Sequence, residues 1–248
     1  MKVQDVILRE LSSYFTPPYC VFCRKHFIPR EDRLNLGIPD IHICSQCLSA
    51  LPRRGETALL MSTLDRRLCE RVPELARFDA PSIVALEYTE LVAHAVRNLK
   101  FHEQTSLARP LGYLLAEAMT RSGIIRGDEI LLPLPLHPKR KRERGYNQTA
   151  LIGREIIRFI SIDVDETILV RARATQRQSE MDGVLARVSN VDGAFAVRPG
   201  QDLSGSRIVV LDDVLTSGAT MVSAFKVLKE AGAKEVVGLT LASGRNSA

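Results

Sequence analysis

Tryptophan is absent from this 248-residue chain, and Phe and Tyr together supply only 5% of it. So few aromatic rings leave little for unpaired bases to stack on, which weakens any reading built mainly on single-stranded nucleic acid. No apolar run approaches the roughly 18–20 residues that span a bilayer, so no membrane insertion is expected. The opening stretch, MKVQDVILRELSSYF, has no signal-peptide apolar core. Val3, Val6, Ile7 and Leu11 instead recur at helical spacing, as in a short docking helix, and the expected location is cytoplasmic. Neither G-x-x-x-x-G-K-S/T nor a G-x-G-x-x-G after a strand occurs, which sets aside nucleoside-triphosphate and dinucleotide readings. Internal repeats and low-complexity tracts are missing too.

What remains is an ordinary globular composition, 45% apolar and 25% charged, with room for one large domain and a small appendage. The formal charge of +5 favours anionic partners in general, whether phosphorylated metabolites or nucleic acid. Cysteine is scarce but clustered. Cys20 and Cys23 form one C-x2-C pair, Cys44 and Cys47 another, with 20 residues between the pairs. Disulfides are disfavoured in a reducing compartment. Two such knuckles suit a closed tetrahedral zinc site, whose ion replaces a core that ~40 residues could hardly build. His26 and His42 lie nearby, but four thiolates complete the shell, so both are assigned to the surface; Cys69 is read as incidental.

Residues 1–55 therefore read as a zinc-ribbon-like module, 56–81 as a helical linker and 82–248 as an α/β domain. Strands are expected at 82–88, 129–136, 166–170, 207–213 and 235–242, and helices at 90–101, 109–119, 147–160 and 219–232. Residues 171–193, charged and without period, read as a long loop. Strands alternating with helices imply a parallel sheet flanked by helices on both faces.

The chemistry concentrates in IVVLDDVLTSGAT, residues 208–220. Ligands of parallel sheets gather at the carboxyl ends of strands, where Asp212 and Asp213 stand as the expected catalytic acids. Thr216, Ser217, Gly218, Ala219 and Thr220 then enter a helix, a favourable seat for a phosphate. The same phosphate would repel two carboxylates unless they faced ribose hydroxyls or Mg2+. One molecule meets both demands: a ribose 5-phosphate with a metal-bound group at C1. The stretch resembles the fingerprint of type I phosphoribosyltransferases, whose substrate is phosphoribosyl pyrophosphate (PRPP).

A second resemblance spans nearly the whole chain. LPLPLHPKRKRERGYNQTAL (132–151), LKF (99–101), RARATQRQS (171–179) and NVDGAF (190–195), with the double-cysteine module, resemble the ComF/GntX family. There a zinc-ribbon-like module precedes a phosphoribosyltransferase domain, and members are linked to natural competence and DNA uptake. The resemblance implies a pyrophosphate loop at His137, Pro138, Lys139 and Arg140. Five of the six residues 139–144 are Lys or Arg, positive charge where a leaving pyrophosphate needs it. It implies a hood over the site carrying Arg171, Arg173, Thr175 and Gln178, with Arg187 and Asn190, which closes to exclude water. Lys100, Arg144 and Tyr146 are further candidates, and Gly145 suits a tight turn. The implied activity is phosphoribosyl transfer from Mg-PRPP to a nucleobase-like nitrogen heterocycle, with Zn2+ structural. Single-stranded DNA binding and PRPP sensing without turnover stand as alternatives. Competence-machinery partners and an oligomer are compatible with the family.

Overall fold

The computed structural model describes residues 19–26, 41–54, 57–59, 81–101, 104–172, 193–216 and 218–243. The short helix α1 (Ser45–Ala50) lies in the cysteine module. Strand β1 (Thr57–Leu59) leads to β2 (Pro81–Glu87), α2 (Glu90–Phe101) and α3 (Ala108–Ser122). Next come β3 (Glu129–Pro133), α4 (Pro138–Arg144), α5 (Gln148–Ile156) and β4 (Asp163–Val164). The pair β5 (Leu169–Arg171) and β6 (Phe195–Val197) precedes β7 (Arg207–Leu215), α6 (Ala219–Glu230) and β8 (Glu235–Ser243).

The main sheet runs β1-β2-β8-β7-β3-β4. Every neighbouring pair is parallel except β1, which lies antiparallel on the outer edge of β2. Its central strands are apolar nearly throughout, because both faces are covered. The pleat sends alternate residues to opposite faces. Leu131, Val209, Leu211 and Leu239 meet Leu99, Leu111, Leu115, Ile152 and Ile156 on one side. On the other, Leu132, Ile208, Val210 and Val236 meet Met221, Phe225, Leu228, Leu169 and Phe195. Helices α3 and α5 cross closely at Gly112, where a Cβ would come within 2.9 Å of Glu155 Cβ.

Several expectations change. Thr57–Leu59, placed by sequence in a helical linker, is a strand: the open edge of β2 offers unpaired amides and carbonyls that outweigh local helical preference. Positions 60–80 of that linker, the amino-terminal helix and Cys69 lie outside the described residues. The 166–170 strand begins later, at Leu169, and pairs with Phe195–Val197 in a separate hairpin rather than in the main sheet. Helix α5 stops at Ile156, short of 160. Of the loop expected at His137–Arg140, residues from Pro138 on belong to a helix, Pro138–Arg144, because His137 caps it, Pro138 opens it and Gly145, with φ 80°, closes it.

The cysteine module is joined to the rest of the molecule. Phe22, Ile43, Leu48 and Leu51 belong to the same apolar cluster as α3. Arg54 donates its amide to Ala85 O at 2.9 Å, and Glu87 donates to Pro52 O at 2.9 Å. Arg53 binds both oxygens of Glu117 on α3, at 3.1 and 3.2 Å. No helix among the described residues is long and apolar enough to cross a membrane.

Candidate active site and metal centre

From β3 the chain moves outward to β4, and from β7 it moves the opposite way to β8. The switch point of the sheet therefore falls between β3 and β7, where α/β proteins open a crevice at the strands' carboxyl ends. Proline shapes that crevice. The β3 ladder ends with Pro133 opposite Leu211, and Leu134 makes the last bond, N to Leu211 O at 2.9 Å. Neither Pro133 nor Pro135 has an amide to continue. Strand β7 runs on beside β8 as far as Leu215, so Asp212 and Asp213 project past the end of β3.

The pleat turns these two carboxylates to opposite faces. Asp213, 5% exposed, is held by two helices: Lys100 of α2 reaches its oxygens at 2.9 and 2.8 Å, and Gln148 Nε2 of α5 donates at 2.9 Å. Asp212 faces the other way, and its Oδ1 accepts the Asp213 amide at 2.8 Å. Burial, and then the neighbouring Asp213 charge, push the Asp212 carboxyl up to about 7, against the opposing pull of Lys100, the Asp213 amide and Arg171. Arg171, at the root of the hairpin, packs over Phe195 at 5.1 Å. Desolvation, followed by the like charge of Arg140, brings its guanidinium down to about 10, while Asp212 pulls the other way. Arg171 of β5, Arg140 of α4 and Asp212 thus share one electrostatic neighbourhood.

Past β7, Thr216 is exposed, and Gly218 takes φ 80°, the left-handed turn that admits the chain into α6. Ala219 and Thr220 form the first turn of that helix. Ser217 lies outside the described residues, as do Arg173, Thr175, Gln178, Arg187 and Asn190. On the β3 side, His137 Nδ1 accepts the Lys139 amide at 3.2 Å. Lys139 is exposed and Arg140 half-buried. Arg144 donates to Gln148 Oε1 and lies 5.3 Å from the Phe101 ring centre.

Sequence reasoning picked Tyr146 and missed the three residues after it. Tyr146 donates its hydroxyl to Leu99 O, beside Lys100. Asn147 Nδ2 and Thr149 Oγ1 both donate to Leu134 O, at 3.0 and 2.9 Å. Gln148 serves Asp213. Four consecutive side chains thus clamp the end of α2, the start of the β3 loop and the buried acid. One clue was legible: Gln148 stands four residues before Ile152 and eight before Ile156, a polar residue on the buried stripe of α5.

In the cysteine module, Arg24 takes φ 58° and donates its amide to Cys20 O at 2.8 Å, bending one knuckle. Cys44 caps α1 and its Sγ accepts the Cys47 amide at 3.4 Å. Cys20, Cys23, Cys44 and Cys47 bring their sulfurs within 4.8 Å of one another, a group that could hold a metal ion. Cys23 Sγ and Cys44 Sγ lie 3.8 Å apart, matching the ~3.8 Å edge of a tetrahedron with 2.3 Å zinc–sulfur bonds. Burial, and then the other sulfurs, push the Cys47 thiol far up, and burial raises Cys44. The two histidines fall outside this group: His26 stacks on Tyr19 at 3.7 Å, and both are exposed.

Comparison with known proteins matches residues 150–248 to the phosphoribosyl transferase domain family. The chain is 25% identical over 224 residues to Competence protein F of Haemophilus influenzae, covering 88% of this chain and 93% of that one. It is 27% identical over 214 residues to DNA utilization protein YhgH of Salmonella typhimurium, covering 82% and 91%. Over 103 residues it is 33% identical to Competence protein ComFC of Streptococcus pneumoniae, covering 42% and 43%.

Proposed function

We propose that this chain, a member of the ComF family with a phosphoribosyltransferase fold, binds Mg-PRPP in the β3–β7 crevice and transfers its phosphoribosyl group to a nitrogen heterocycle. The observation that carries the reading is the order of groups around that crevice. A helix start opened by left-handed Gly218 lies beyond the acids of β7, and the exposed bases of α4 stand across from them. Phosphate, sugar and pyrophosphate follow one another in the same order along PRPP.

In this assignment residues 216–220 receive the 5-phosphate, through helix-start amides and the hydroxyls of Thr216, Ser217 and Thr220. Asp212, the acid facing the hood, accepts hydrogen bonds from the ribose hydroxyls, while Asp213 fixes Lys100 beside them. Mg2+ bound with the substrate would supply further positive charge to offset that of the pyrophosphate. As the C1–O bond breaks, Lys139 and Arg140 balance the charge gathering on the leaving pyrophosphate, with His137 and Pro138 setting the start of their helix. Arg171, with Arg173, Thr175 and Gln178 of the hood, closes over the sugar, so that a heterocycle nitrogen rather than water meets C1. The remaining assignments follow the same division: residues 1–55 form a module stapled by structural Zn2+ on its four cysteines, and 82–248 form the transferase domain.

The test is a thermal shift with Mg-PRPP, followed by a pyrophosphate-release screen over a panel of nucleobases. Stabilisation of the wild type that Asp213→Asn abolishes supports the reading; a wild type untouched by Mg-PRPP refutes it. Binding without pyrophosphate release for any base would leave a PRPP sensor. A second reading, single-stranded DNA binding within the competence machinery, draws on the exposed Lys139, Lys141 and Arg142 of α4 and on relatives named for competence and DNA utilization. It requires an affinity that falls with salt by about 0.7 in log K per log salt for each phosphate contacted.

A further inference from the structure

Gln148 is a buried amide with a charged residue at each end. Its Nε2 donates to Asp213 Oδ2 at 2.9 Å, and its Oε1 accepts from Arg144 Nη1. Turned end for end, it would set its oxygen against a carboxylate and its NH2 against a guanidinium, so one orientation alone is satisfied. At 6% exposure, water cannot replace either partner. The surroundings are equally fixed. Lys100 occupies the far side of Asp213, Arg144 lies over Phe101, and Asn147 and Thr149, on either side of Gln148, are tied to Leu134 O.

We propose that Gln148 is a positioning residue that binds Arg144 into the support of Asp213 and so withholds it from the pyrophosphate. Arg144 belongs to a helix whose other bases are exposed or, for Arg140, half-buried, and by composition alone it is one more cation for the leaving group. The hydrogen bonds assign it elsewhere. Drawing Arg144 toward a ligand would strand Gln148 Oε1 in the core and free the amide that orients the acid. Lys139 and Arg140 are then the bases of α4 that meet the ligand, while Arg144 acts at a distance through Gln148 and Asp213. This inference rests on the Mg-PRPP reading of the site.

A double-mutant cycle separates the two roles, with Mg-PRPP dissociation constants from calorimetry as the readout. Arg144→Met and Gln148→Leu should each weaken binding about tenfold. Together they should still weaken it about tenfold, because both break one chain of contacts. Arg140→Met combined with Gln148→Leu should instead multiply to about a hundredfold. A multiplicative Arg144–Gln148 pair overturns the proposal, since Arg144 would then contact the ligand independently. A second measurement needs neither ligand nor the Gln148→Leu fold. In the free protein, the Gln148 side-chain amide NMR signals should move in both Lys100→Met and Arg144→Met, and signals indifferent to either substitution overturn the proposal. Amide signals that respond to both, in a wild type that does not bind Mg-PRPP, would sink the reading of the site and leave the contact chain standing.

Discussion

Asp212 shows how much one side chain can be asked to do. Its carboxyl titrates near neutrality, raised to about 7 by burial and by Asp213, against about 3.9 for an unfolded aspartate. A folded-state value above the unfolded one means the native protein holds its proton longer. Asp212 therefore opposes folding increasingly as pH rises from about 4 to about 7, and does so fully above that. Asp212→Asn should be more stable than wild type by about 1–2 kcal/mol at pH 8, less than the full shift implies because the carboxyl is partly wetted. The gap should close below pH 4, as denaturant titrations at the two pH values would show. The same substitution should weaken Mg-PRPP binding if Asp212 meets the ligand as proposed, a gain of stability at the expense of the site. That the two acids stand at a strand's carboxyl end before a small, hydroxyl-rich turn was legible. That they face opposite ways, with Asp213 engaged by Lys100 and Gln148, was not, because those partners lie 113 and 65 residues away in the chain.

Among the elements, β3 and β7 form the frame of the crevice, and a buried ion pair fastens their opposite ends. Arg207 opens β7 and reaches Glu129, the first residue of β3, at 2.9 Å, with Asp128 and Glu235 around it. Burial would raise the Glu129 carboxyl, but the amides of Arg126 and Gly127 and the Arg207 guanidinium outweigh it and leave it low. The resulting stability is present above the ordinary glutamate range, near 4.3, and is lost as pH falls through the depressed folded value. Glu129→Gln should cost about 1–2 kcal/mol at pH 7, because a neutral amide cannot accept from Arg126, Gly127 and Arg207 as the carboxylate does, while Asp128 and Glu235 still hold the arginine. It should cost much less in an acid melt near pH 3, and an equal loss at both would refute the assignment. The central strands and the helices between them were legible from apolar runs and 3.6-residue periods. β1, β4 and β6, each of two or three residues, were not, since so short a strand exists only through its neighbour, and β5 was legible as a strand but not its start or its partner. Helix α4 hid behind its charge: with no residue buried, it has no apolar face to betray a period.

At the scale of the whole molecule, the cysteine module and the transferase fold share one apolar cluster, so they should not unfold separately. Removing metal with a chelator, or replacing Cys44 by Ser, should lower the melting temperature of the entire chain in one cooperative transition. Calorimetry resolving two peaks, with the second unmoved, would show the module to be a detachable appendage. The spacing of the two knuckles announced a cysteine cluster that could hold a metal ion. The docking of that cluster through Arg53 onto Glu117 of α3 could not be read, because an arginine among charged neighbours has no periodic mark.

The bond from the Asp213 amide to Asp212 Oδ1 carries one more implication. Where β3 stops at its prolines, that amide loses the carbonyl a longer neighbour would have supplied, and the Asp212 side chain stands in for the missing strand. One oxygen of residue 212 thus satisfies the backbone, and under the Mg-PRPP proposal the other would meet the ligand. The backbone alone would favour Asp or Asn there, so an acid-like residue at 212 in a related chain would be poor testimony that it is an enzyme.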